Sequence, residues 1–288
     1  MKKNYLFGLC ALILSQSTLI NAQTVEEVIV TATKTERTLQ EVPVAVSVVT
    51  ADTIEKANVV DLLDLKAVVP SLDARQYQST TNATFFIRGF GNGSNNPGVE
   101  PSVAVFVDGV YRSKIQGQIS DLPMLERIEV LRGPQSTLFG KNASAGVVNI
   151  VTKKPSFENF GKATFEIGDY NSKVAKIYYT GPINDSVAYS FSANVNKRDG
   201  QSDNPTTGNK LNDRDRFGYR AELLFAPADD FSARVTVDYD EFDEICCVIG
   251  STAYGAGNQI TALLGGKVVP NDPFTQSSFF NFDPTSKG

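Results

Sequence analysis

From residue 156 onward the chain alternates. In the runs 187–195, 217–225 and 231–239 all fifteen odd-numbered positions are apolar or aromatic, and of the twelve even-numbered positions between them only Ala188 and Leu224 are clearly apolar. Residues 162–168 and 173–180 carry a shorter form of the same pattern. A period of two puts the two sets on opposite faces of a β-strand, so one face meets an apolar medium and the other a polar one. A soluble β-sandwich also alternates. Three features favour a membrane barrel. The runs are about 9–11 residues long, the length of a tilted membrane strand. Aromatics flank the apolar face, with Phe225 and Phe231 on one rim and Phe217 and Tyr239 on the other. Connections alternate between tight (181–185, 226–230) and long and polar (197–215, 241 onward), the rule for outer-membrane barrels. The even positions Arg220, Glu222, Arg234 and Asp238 suit a wet lumen rather than a packed core.

Residues 41–155 have a different texture, that of one α+β domain. Residues 42–49 predict a strand. A helix is expected next, with Asn58 as N-cap, Val59, Leu62, Leu63 and Leu65 on its apolar face, and Pro70 as its stop. Asp108-Gly109 between two β-prone runs (103–107 and 110–111) is a hairpin signal. Residues 85–88 and 127–131 predict further strands. The richest stretch is 125–155: a strand breaks at Gly133-Pro134, passes through a short helix or turn, and re-enters a β-branched run at 147–152.

Several chemistries are excluded. Six residues separate Gly133 from Gly140, and Asn142 follows Lys141, so the stretch is not a phosphate loop. Gly89, Gly91 and Gly93 lack the dinucleotide spacing. The chain has no histidine, which removes the commonest general base, histidine-based triads and histidine metal ligation. No catalytic residue, metal site or cofactor is predicted. Residues 1–22 read as a signal peptide: Lys2 and Lys3, an apolar run at 6–14, and a small-residue cut after Ala22. Losing Lys2 and Lys3 takes the formal charge from −5 to −7, and no basic tract for nucleic acid remains. Cys246 and Cys247 are adjacent and give no disulfide framework.

Between the cut and the α+β domain, residues 23–40 hold a short β-prone run, Glu27, Val28, Ile29, Val30, Thr31 and Ala32, then a polar stretch with nothing to pack against. Such a strand suits addition to another protein's sheet edge. It reads equally as a terminal strand of the domain itself.

The strings Ile87-Arg88-Gly89, Phe106-Val107-Asp108-Gly109 and Val130-Leu131-Arg132-Gly133-Pro134, with the 125–155 stretch around Gly140 and Gly146, resemble the plug domain of TonB-dependent outer-membrane receptors. The resemblance covers residues 41–155. It implies an α+β plug followed, at 156–288, by the first antiparallel strands of an incomplete transmembrane β-barrel in the outer membrane of a Gram-negative bacterium. It makes Glu27 to Ala32 the TonB box, a periplasmic handle for TonB and its inner-membrane energising complex. It also implies that Arg88 and Arg132 lock the plug to wall glutamates. The loops 75–82 and 91–100, with Arg75, Tyr77, Asn92 and Asn95, would touch a metal chelate or other nutrient. The implied function is energised import, most of all of a ferric siderophore. An oligosaccharide, cobalamin or haem as cargo, or a truncated plug-only binder, are the alternatives. Five wall strands with open edges do not close in lipid, so the chain is expected to be the N-terminal part of a longer receptor.

Overall fold

The computed structural model describes residues 28–76, 83–92, 99–113, 124–204, 207–228 and 230–245, together with residue 263 and two short strands at 276–277 and 285–287. The signal peptide, Glu27, Tyr77, Asn95, Cys246 and Cys247 lie outside them.

The chain opens with β1 (Ile29–Val30) paired antiparallel to β2 (Arg37–Thr38). Next come β3 (Val46–Thr50) and the short helix α1 (Ala51–Lys56), whose N-terminus is capped by the Thr50 hydroxyl accepting from the Thr53 N–H. β4 (Leu72–Gln76), β5 (Ala83–Ile87) and β6 (Phe90–Gly91) form a small antiparallel sheet. A second sheet has the order β3-β9-β10-β7-β8, built from β7 (Val103–Val107), β8 (Val110–Tyr111), β9 (Leu125–Arg132) and β10 (Gly146–Thr152). The turn after β9 holds a short helix, α2 (Ser136–Phe139). β10 runs parallel to β7 and antiparallel to β9.

The plug sheet is buried on both faces, so its strands read as near-continuous apolar runs. One face carries Val49, Ile128, Val130, Val148, Ile150, Val103 and Val105 under the 59–74 segment. The other carries Ala104, Phe106, Leu131 and Val147 under Val30, Ala32 and Val42. The hairpin turn legible in the sequence is left-handed at two successive residues, Asp108 (φ +49°) and Gly109 (+82°), and the β5–β6 turn, not read as a hairpin from the sequence, has the same form at Arg88 (+54°) and Gly89 (+81°). Gly146 is required by space: a Cβ there would meet the Leu131 carbonyl oxygen and the Ile87 side chain.

The helix expected from Asn58 is absent. Asn58 instead takes a left-handed conformation (φ +50°) just beyond α1, where Asn is tolerated, and the chain continues as turns and a 3-10 segment at Asp64–Ala67. The carboxylate of Asp64 accepts from the N–H groups of Val60 and Asp61, at 3.0 and 3.2 Å, which favours the turn. The apolar spacing was right about burial, since Val59, Leu62 and Leu65 are all core.

The wall is an antiparallel sheet in meander order: β11 (Phe160–Gly168), β12 (Ser172–Asn184), β13 (Val187–Arg198), β16 (Arg214–Ala228), β17 (Phe231–Ile245) and β19 (Thr285–Lys287). β14 (Ser202–Asp203), β15 (Lys210–Leu211) and β18 (Gln276–Ser277) form a separate small sheet. The five predicted wall strands are all present. β16 and β17 run 15 residues each, beyond their apolar runs, because pairing continues where the side chains turn polar. Odd positions such as Phe165, Leu223, Val235 and Val237 face outward and are exposed, whereas even positions face the plug. Among the described residues the wall does not close.

Candidate functional site

Two places join distant parts of the chain through buried polar groups. The first is the N-terminal segment. Alternation along β9 and β10 puts Glu129 and Asn149 opposite each other on the plug face that carries Leu131 and Val147. Glu129 is fully buried. Its Oε1 accepts from Arg127 Nε at 2.8 Å and from the Thr31 backbone N–H at 2.8 Å. Asn149 Nδ2 donates to Thr31 Oγ1 at 3.0 Å and to Glu129 Oε2 at 3.2 Å. Val30 and Ala32 flank this clasp, both at 0% exposure. Just beyond, Lys34 turns back (φ +65°), and its ammonium sits 4.3 Å from the ring centroids of both Phe106 and Phe139. Burial pulls the Lys34 pKa below its ordinary value, and the two ring faces offset part of that penalty on the cation.

The expectation of a segment with nothing to pack against is therefore corrected. Val30 and Ala32, with Val28 packed against them, complete the core of the plug's second face, Ile29 points outward, and β1 has its partner in β2. Sequence alone left open a strand belonging to the domain. This is the arrangement observed.

The second place is the boundary between plug and wall. Asp61 (plug) lies 3.2 Å from Arg216 Nη1 and 3.7 Å from Arg214 Nη2. Arg216 also pairs with Glu244 at 2.6 Å, and both side chains are almost wholly buried. Asp108, at the β7–β8 turn, is bound by Arg220 and lies 3.3 Å from Arg234 Nη2. The same carboxylate accepts from the backbone N–H and the hydroxyl of Thr152, at 2.9 and 2.8 Å. Arg220 shares Glu222 at 2.8 Å, and Arg112 of the plug reaches Asp238 at 3.1 Å. The first cluster has two carboxylates and two guanidiniums. The second has three of each. The first is formally neutral only while the plug supplies Asp61, whereas in the second the plug supplies one charge of each sign, Asp108 and Arg112. Along this wall the expected wet lumen is instead a salt-bridged interface.

The plug groups that meet the wall are thus mainly carboxylates. Among the described residues Arg88 and Arg132 pair with no carboxylate: Arg88 is exposed, and Arg132 Nε is 3.5 Å from the Ala45 carbonyl oxygen. Gly133 and Gly140 are left-handed (φ +90° and +83°) and, with Pro134 between them, shape the α2 turn. Arg75 pairs with Asp73 at 2.6 Å on an exposed edge, and Asn92 donates to the Glu100 carbonyl at 2.8 Å. Sequence reading missed Asp61, Arg216 and Glu244, and it did not give Asp108 its anchoring contacts. The one available signal was the run of charges at even wall positions.

A two-faced plug sheet seated by buried ion pairs on one face of an antiparallel membrane-type wall is the architecture of a plug domain against barrel strands. Residues 38–147 match the family described as TonB-dependent Receptor Plug Domain. The chain is 31% identical to the pesticin receptor of Yersinia pestis, over 77% of this chain and 33% of that one. It is 28% identical to the vitamin B12 transporter BtuB of Vibrio vulnificus (strain CMCP6), over 91% and 43%. Among solved structures, the ferric yersiniabactin uptake receptor FyuA from Yersinia pestis superposes with a TM-score of 0.66 at 28% identity, covering 70% of this chain and 32% of that one. The chain belongs to the TonB-dependent receptors, a family of transporters and receptors rather than enzymes. It spans between a third and under half of the length of these relatives.

Proposed function

We propose that the chain supplies the plug and first wall strands of an outer-membrane receptor of a Gram-negative bacterium that imports a scarce nutrient, a ferric siderophore foremost. The observation that carries this reading is a plug held across the inner face of the wall by buried ion pairs. A filled barrel blocks passive flow, so passage needs work, and the outer membrane holds no gradient to supply it. The work must arrive through a periplasmic handle. Residues 27–32 are the proposed handle, captured by TonB through strand pairing. Because 28–32 is docked, capture requires it to leave the Glu129–Asn149 clasp first. The ferric-siderophore cargo is supported by likeness to the ferric yersiniabactin uptake receptor. Arg75, Tyr77, Asn92 and Asn95 are proposed contacts for that cargo. Arg88 and Arg132 are proposed to meet wall carboxylates outside the described residues.

In cells carrying the full-length receptor, Ile29→Pro should abolish uptake of a ferric chelate and leave surface binding intact, since proline removes a pairing donor. Uptake at the parental rate in that variant would overturn the handle. Abundance of the receptor in outer-membrane fractions should rise on iron starvation. No response to iron would move the cargo to a carbohydrate or another organic nutrient.

A further inference from the structure

The plug meets the wall in two unlike ways. Against β16–β17 it is held by Asp61 and Asp108, each buried and each facing two wall arginines. Against β11–β13 the described residues make one ion pair, Lys162 Nζ to Glu55 Oε1 at 2.7 Å, with the Glu55 side chain 69% exposed. Solvent screens a pair of that kind, whereas the buried pairs keep their strength. Beside it a cavity of about 240 Å³ separates α1 from the wall. Across that gap the ring contact between the plug and β11 is the long one from Lys153 to Phe160, 5.8 Å to the centroid, so little attraction has to be lost when the two surfaces part.

The chain path points at the same side. A pull on residues 28–32 travels through β3, the edge strand of the plug sheet, directly into α1. The element bordering the cavity is therefore loaded before the strands stapled to β16–β17. Lys153, Lys162 and Lys176 face Glu55 and Glu166 in the lining, leaving it net cationic, and Ser192 and Asn194 add polar groups.

We infer that the boundary between α1 and β11–β13 is the seam at which the plug yields, and that this cavity is the passage for an anionic solute, while the β16–β17 boundary stays closed. The inference rests on the import reading above, but its test needs neither TonB nor the natural cargo. Cells carry the full-length receptor with Cys246→Ser and Cys247→Ser, plus a periplasmic β-lactamase. The influx of nitrocefin, an anionic chromogenic cephalosporin, is then followed. Glu55→Lys, which turns the one seam ion pair into a repulsion, should raise influx several-fold at unchanged receptor abundance, with Glu55→Gln giving a smaller rise. Adding Ser192→Cys and reacting it with a bulky maleimide should close the leak. The same reaction at Thr236→Cys, on the stapled wall, should leave it open. Lys176→Glu added to Glu55→Lys should lower nitrocefin influx and spare a zwitterionic cephalosporin. No added influx from either Glu55 variant would overturn the seam. So would a leak closed equally from both walls. A leak indifferent to Lys176→Glu would overturn the anionic passage. A failure of Ile29→Pro to stop uptake would strike the handle alone.

Discussion

Asp108 shows how much one side chain is asked to do. It sits in a left-handed turn, receives the N–H and hydroxyl of Thr152 at the end of β10, and faces Arg220 and Arg234 of the wall. Asn tolerates the left-handed conformation and keeps an acceptor for the Thr152 N–H, so Asp108→Asn isolates the charge. Removing one partner of a buried pair strands the other and costs about 3–5 kcal/mol. Asp108→Asn in the full-length receptor should therefore lower the melting temperature of the plug and admit a large antibiotic that the parent excludes. Arg220→Gln combined with it should cost less than the sum of the two changes, because each single change leaves an uncompensated charge. Additive costs would mean that the two groups do not work as a pair. The proposal for Arg132 makes a separate prediction. Arg132→Ala should leak as well, and unchanged permeability would remove it from the lock.

At the scale of elements, the N-terminal hairpin is both part of the plug core and the proposed point of traction. Its hold on the sheet is divided between apolar burial of Val30 and Ala32 and the polar clasp at Thr31. Thr31→Val keeps shape and backbone donor but deletes the hydroxyl that links Asn149 to the segment. The loss is about 1 kcal/mol, or roughly a fivefold rise in the undocked fraction. Trypsin cleavage at Lys34 or Arg37 reads that fraction directly, and an unchanged cleavage rate would show that burial alone holds the hairpin. Element types were largely legible in the sequence, because alternation and paired left-handed turn residues are local signals. Asn58 misled because an Asn that caps a helix and an Asn that ends one look alike without backbone angles. The clasp and the anchors were not legible. Thr31 and Glu129 are 98 residues apart, and Asp61 and Arg216 are 155 apart. An even-position arginine announces only a polar face. Which plug carboxylate lies opposite is decided by how the two sheets dock.

For the whole molecule, the wall separates two media across the thickness of one strand. Val235 and Val237 point outward at 63% and 58% exposure, while their neighbours Arg234, Thr236 and Asp238 point at the plug. Such a large exposed apolar area is a liability in water and a requirement in lipid. Val235 pairs with Leu223 midway between the rim aromatics Phe225–Phe231 and Phe217–Tyr239, so it marks the middle of the apolar band. An arginine at the centre of such a band costs about 2–4 kcal/mol, and far less near its edges. Val235→Arg in the full-length receptor should therefore cut the yield of heat-resistant folded barrel in lipid. Phe231→Arg at the rim should cost much less. A lipid environment is the only one in which depth should matter this way. In an aqueous sandwich an outward, half-exposed valine would accept arginine at either position almost without penalty. Equal yields for the two variants in lipid would contradict a membrane wall and, with it, the transport reading built on a plugged barrel.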